Sequence, residues 1–189
     1  MNCGECFACC KGATNCCESL EVIGVHKDGG MCERFVLPAR KLHPSEKLTM
    51  EQLALVETLA IGCNCVNRAR PGEGDKVLVI GAGPIGMAVI EFLKVAKTEI
   101  TVMDMNEARL QFCKETLGVD HTVVFKNDGT EVDRLREANG GELPITVIDA
   151  TGSHISMSNA FQFCAFTGQV LFVGITTEEL SFKHIAIHR

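Results

Sequence analysis

The sequence predicts an α/β protein, a doubly wound parallel sheet with its sixth strand missing, preceded by a small cysteine-rich lobe. Three observations predict it. From Asp75 onward, short continuous apolar runs alternate with segments of helical period, the mark of parallel strands buried on both faces by crossover helices. The turn after the first run reads Gly81-Ala82-Gly83-Pro84-Ile85-Gly86. Six of the 11 cysteines fall within the first 17 residues. These features divide the chain into a first domain, 1–48, and a second, 49–189.

Taken in order, 18–47 reads as loops and short strands, with a turn at Asp28-Gly29-Gly30 and a strand over 34–37 before Pro38 and Pro44. Thr49 and Gln52 form a capping-box signature, and Leu53, Val56 and Leu59 carry a helix to about residue 68. Pro71-Gly72-Glu73-Gly74 then breaks the chain. Strands are predicted over 76–80, 99–104, 121–125, 145–149 and 169–174. Between them stand helices over 84–96, around Leu110, Cys113 and Leu117, around Val132, Leu135 and Ala138, and over 156–166. A complete dinucleotide fold has six strands; after Gly174 only Leu180-Ser181-Phe182 and a stub at 185–187 remain.

Cys3, Cys6 and Cys9 repeat as CxxCxxC, and Cys17 follows. Four thiolates this close suit a tetrahedral structural zinc, with Cys10 or Cys16 as alternative ligands. The ferredoxin pattern puts its fourth cysteine three residues on, followed by proline; that position is Ala13, and no proline follows. Cys32, Cys63, Cys65, Cys113 and Cys164 lie in apolar segments and read as small buried hydrophobes.

The glycine turn follows a buried strand and opens a helix, the context in which GxGxxG holds a dinucleotide. Gly81 makes the tight turn and Gly83 lets backbone amides reach a pyrophosphate. Gly86 brings the helix against the strand, and Pro84 and Ile85 begin that helix, whose N-terminus carries the positive end of its dipole. Asp104 ends the second strand, where its carboxylate can accept ribose hydroxyls and repel a 2′-phosphate. NAD is therefore predicted over NADP. Arg109 is the nearby cation that could hold the adenine ribose or a phosphate.

Composition narrows the partners. With 18 Lys and Arg against 24 Asp and Glu, the net charge is −6, which opposes a sequence-independent grip on nucleic acid. Trp and Tyr are absent, leaving only Phe for base stacking. No segment is apolar enough to span a membrane, and the first residues carry no basic stretch followed by an apolar run, so no signal peptide is expected. A cytoplasmic protein with reduced thiols is the expectation.

The four-cysteine lobe and the GAGPIG turn together resemble the zinc-containing medium-chain alcohol dehydrogenases. VIGVHKDGGMCERFVLPARKLHP is similar to that family's loop-and-strand segment. ETLAIGCNCVNRA, VIDATGS and VLFVGI are similar to motifs of its polyol and sugar-acid branch, among them sorbitol-type, threonine-type and L-galactonate-type dehydrogenases. The resemblance implies that 1–48 is the remnant of a GroES-like catalytic domain and 49–189 a C-terminally shortened Rossmann domain. It implies structural zinc on Cys3, Cys6, Cys9 and Cys17, and Glu57 at the catalytic zinc as ligand or neighbour. Ala150, Thr151, Val173 and Gly174 would line the nicotinamide half of NAD. Thr58 stands where the family has proline, and Asn64 where the branch has histidine.

The family's other catalytic-zinc ligands, a cysteine and a His-Glu pair, come from before the lobe. An internal fragment is the expectation, inactive alone. In the complete enzyme, hydride would pass between the hydroxyl of a polyol or sugar acid and NAD in a homo-oligomer, dimer or tetramer. The competing expectation is a non-catalytic sensor that binds NAD and zinc.

Overall fold

The computed structural model describes residues 1–188, and the chain divides into two compact units, Met1–Leu48 and Thr49–Arg189.

The first unit holds little regular structure. Helix α1 (Phe7–Cys10) is a single turn, followed by 3₁₀ turns at Thr14–Cys16 and Ala39–Lys41. An isolated bridge joins Ile23 and Lys27, and the His26 ring closes that loop by accepting the Val22 amide at 2.9 Å on Nδ1. The strand expected over 34–37 does not form. Among the described residues no strand pairs with it, and Val36 is 94% exposed, so neither ladder hydrogen bonds nor burial hold it extended. Cys32 is also exposed rather than buried; its thiol donates to the Arg34 carbonyl at 3.1 Å.

The second unit opens with α2 (Met50–Ala69). The Thr49 hydroxyl accepts the Gln52 amide at 3.3 Å while the Gln52 side chain accepts the Thr49 amide at 3.0 Å, completing the capping box. Then follow β1 (Lys76–Ile80), α3 (Pro84–Val95), β2 (Glu99–Asp104), α4 (Glu107–Phe112), β3 (His121–Val124), α5 (Glu131–Ala138), β4 (Thr146–Asp149), α6 (His154–Asn159) and β5 (Gln169–Phe172). All neighbouring strands are parallel. Their order, β3-β2-β1-β4-β5, is the doubly wound order, with its reversal between β1 and β4.

Side chains alternate across a pleated strand, and here both faces are covered. Val77 and Val79 join one core with Val89, Leu93, Val102 and Leu110. Leu78 and Ile80 join the other with Met103, Leu135, Val147 and Phe163. That is why these strands read as unbroken apolar runs. Cys65 and Cys113 are buried, while Cys63 and Cys164 are half-buried.

Two helices are less regular than their periodicity suggests. After α4 the chain widens into a π turn, Cys113–Leu117, stopped by Gly118 at φ +69°. The helix expected over 156–166 begins earlier, at His154, where the Ser153 hydroxyl accepts the Ser156 amide at 3.4 Å. It tightens into a 3₁₀ segment at Ala160–Phe163. Ala160 and Phe163, three residues apart and almost fully buried, eclipse on one side of a 3₁₀ turn. Strands β3 and β5 end at Val124 and Phe172, short of the expected 125 and 174.

Candidate cofactor site and zinc lobe

In the lobe, α1 supplies the curvature that gathers the CxxCxxC thiols. The Sγ atoms of Cys3, Cys6, Cys9 and Cys17 all lie within 4.8 Å of one another. A zinc–sulfur bond of about 2.3 Å implies tetrahedral S···S separations of about 3.8 Å; Cys3 stands 3.6 Å from Cys17 and 4.0 Å from Cys9. Backbone amides point at these sulfurs: Cys6 and Glu5 donate to Cys3 Sγ, and Cys3 donates to Cys17 Sγ. Backbone hydrogen bonding at Glu18, and then at Cys9, lowers the Cys6 thiol to about 6. The Cys3 backbone lowers Cys17 likewise. The donor set fits a soft divalent cation. Cys10 and Cys16 stand outside it: Cys10 donates to the Glu5 carbonyl, and Cys16 accepts from Asn15.

In the second unit, the predicted dinucleotide residues meet at the C-terminal ends of β1, β2, β4 and β5. Gly81 turns the chain at φ +98°. A Cβ there would lie 3.0 Å from the Thr151 methyl, and one on Gly86 only 1.9 Å from the Gly81 carbonyl oxygen. Those two glycines allow strand, helix and neighbouring turn to approach. Gly83 differs: it caps α3 in extended backbone, and a Cβ there would meet nothing within 4 Å. That open space lies before the free amides of a helix N-terminus, with Pro84 exposed at its first position and Ile85 half-buried, the arrangement that suits a phosphate.

Asp104 sits beside this turn. Its Oδ2 accepts the Ala82 amide at 2.6 Å and its Oδ1 the Asn106 amide at 2.7 Å. A carboxylate oxygen has two lone-pair sites, so each retains one for a ribose hydroxyl. Asp104 and Arg109 border a cleft of about 510 Å³, floored by Met103, Phe125 and Phe163. The turn after β4 contributes Thr151 and Ser153 to the cleft, and α6 contributes Ser156. Ala150 donates to the Ile80 carbonyl at 2.9 Å, while Val173 and Gly174 donate to that of Asp149 at 2.9 and 3.2 Å. Apolar walls with a few convergent polar groups at the sheet's switch point suit a dinucleotide.

Glu57 stands apart from this assembly. It is exposed on α2, and among the described residues the four lobe cysteines are the one group of three or more metal-ligating side chains. The residues present do not compose a catalytic zinc site. Sequence reasoning also passed over Asp149 and Ser156. Asp149 ends β4 as Asp104 ends β2, and a lone carboxylate closing an apolar run was the available signal.

The sequence model for zinc-binding dehydrogenases matches residues 84–188. The chain belongs to the zinc-binding dehydrogenase family. The chain is 36% identical over 188 residues to the L-galactonate-5-dehydrogenase of Escherichia coli K12, a match covering 99% of this chain and 54% of that protein. It is 33% identical over 190 residues to the L-arabinitol 4-dehydrogenase of Aureobasidium melanogenum, covering 98% and 52%. Its fold matches the crystal structure of the alcohol dehydrogenase RspB of Escherichia coli CFT073 with NADH, at a TM-score of 0.88 and 30% identity over 99% of this chain and 55% of that one. The chain thus spans about half the length of the curated relatives it matches. Among the described residues no helix is long and apolar enough to cross a membrane.

Proposed function

We propose that this chain forms the NAD-binding part and the structural zinc lobe of a dehydrogenase acting on the hydroxyl of a polyol or sugar acid. The observation that carries the reading is Asp104 held against the Gly81–Gly83 turn by the Ala82 amide. The names of the relatives, an L-galactonate and an L-arabinitol dehydrogenase, support the substrate class.

Bound NAD supplies the hydride acceptor. The chain's own residues bind and orient it: Gly83 leaves room for the pyrophosphate, Asp104 takes the ribose hydroxyls, and Arg109 sits beside that ribose. Ala150, Thr151, Val173 and Gly174 flank the path toward the nicotinamide. In the lobe, Cys3, Cys6, Cys9 and Cys17 hold one zinc as a fold-stabilising crosslink. Because Glu57 joins no group of three or more metal-ligating side chains among the described residues, this chain alone is expected to bind NAD without turning alcohols over. The second reading is a sensor that binds NAD and zinc without catalysis, and it rests on the same Asp104 and four-cysteine geometry.

Two measurements test the proposal. NADH titrated into the protein should bind, and failure to bind sinks both readings. The reading frame upstream of Met1 separates them. An in-frame cysteine and His-Glu pair, with NADH formed from NAD and a pentitol, hexitol or aldonic acid by the product of that frame, supports the dehydrogenase; initiation at Met1 supports the sensor.

A further inference from the structure

Asp149 is fully buried at the end of β4, and among the described residues no Lys, Arg or His forms an ion pair with its carboxylate. Isolated buried carboxylates are costly unless donors surround them. Here the donors all come from the wall of the cofactor cleft. Oδ1 accepts both the amide and the hydroxyl of Thr151, at 2.9 and 2.6 Å, and Oδ2 accepts the Ser156 hydroxyl at 2.5 Å. The network continues outward: the Ser153 amide donates to the Thr151 hydroxyl at 3.0 Å, and the Ser156 amide to the Ser153 hydroxyl at 3.4 Å. Thr151, Ser153 and Ser156 line the same cleft as Asp104. Asp149 lies behind them, and the Thr151 methyl faces Gly81.

We infer that Asp149 is a positioning residue for the dinucleotide, setting the width of the cleft through Thr151 and Ser156 without touching the ligand. The inference rests on the dinucleotide reading above. A neutral apolar side chain could fill the space with less desolvation, but a carboxylate accepts all three donors without reorienting either hydroxyl. Asparagine preserves part of the arrangement: its oxygen can accept from Thr151, and its amide can donate to the Ser156 oxygen.

The test is NADH affinity, read by fluorescence, together with thermal stability for Asp149→Ala, Asp149→Asn, Thr151→Val and Ser156→Ala. Asp149→Ala should weaken NADH by about tenfold, as expected when a binding wall shifts by a fraction of an ångström. Asp149→Asn should recover most of that loss. Thr151→Val should cost less on the Asp149→Ala background than in wild type, because the Thr151 hydroxyl bond to Asp149 is already cut there, while its bond from the Ser153 amide is lost in both. Should Asp149→Ala fail to fold, Thr151→Val and Ser156→Ala carry the test, each expected to weaken NADH several-fold. The inference is overturned if Asp149→Ala melts earlier yet binds NADH within twofold of wild type, or if both hydroxyl variants bind it unchanged. Wild-type protein that binds no NADH overturns the dinucleotide reading, and the inference with it.

Discussion

The amide of Ala82 donates to Asp104 Oδ2 at 2.6 Å, locking the carboxylate that ends β2 to the glycine turn that ends β1. The bond links two strand ends that are 22 residues apart in sequence and adjacent in the sheet. It places one negative charge beside the space in front of Gly83 before any ligand arrives. Preorganisation of this kind removes part of the ordering cost of binding.

Close backbone approach at Gly62 and Gly86 should make both positions intolerant of an added methyl. A Cβ on Gly62 would lie 2.5 Å from the Ala88 carbonyl carbon and oxygen, where α2 crosses α3. Gly62→Ala should therefore destabilise by about 1–3 kcal/mol, the usual range for overpacking. Gly86→Ala, aimed at the Gly81 carbonyl, should cost as much and also weaken NADH. Denaturant melts check both; a neutral Gly62→Ala would mean that the helices can part freely.

Zinc content tests the lobe. Elemental analysis should find about one zinc per chain, falling toward zero in the Cys6→Ser, Cys9→Ser double variant. Changing Cys10 or Cys16 should leave the content unchanged, since neither sulfur joins the four-sulfur cluster. Two metals per chain would show that Glu57 has ligand partners the structure does not show.

Acid stability should depend on Glu131, which is buried at the start of α5. Desolvation pushes its carboxyl upward, but backbone hydrogen bonds, including the amides of Asp128 and Lys126, outweigh this and lower it. Arg134 also donates to it at 3.1 Å. A depressed carboxyl stabilises the fold above its unfolded value of about 4.3 and loses that contribution as pH falls through the folded value. Glu131→Gln should cost about 1–3 kcal/mol at neutral pH and flatten the acid limb of the stability profile. An unchanged acid limb would contradict this.

Much of the fold was legible because the three central strands, β2, β1 and β4, are buried on both faces. The 76–80 run, apolar from Val77 to Ile80, and the 99–104 run, carrying Ile100, Val102 and Met103, match β1 and β2 without a shift at either end. The capping box at Thr49 was readable for a similar reason, being a local hydrogen-bond pattern carried by local sequence. Tertiary choices were less visible. The 3₁₀ tightening at Ala160–Phe163 depends on which side chains the core accepts, and the 34–37 segment has strand-like residues but no neighbour to pair with. In the cleft, GxGxxG and Asp104 announce themselves by spacing. Asp149 does not, because its partners are hydroxyls in a turn whose shape only the folded chain defines.

The central claim is that Asp104 and the glycine turn hold NAD, and calorimetric titration tests it most directly. NADH and NADPH would each be titrated into the wild-type chain and into Asp104→Ser. Wild type should prefer NADH. The serine variant should lose about 1.5–3 kcal/mol of NADH affinity, the worth of hydrogen bonds to a charged group, and the gap between the cofactors should narrow as the repulsive charge disappears. A wild-type chain that prefers NADPH, or an Asp104→Ser variant that binds NADH undiminished, would contradict the account.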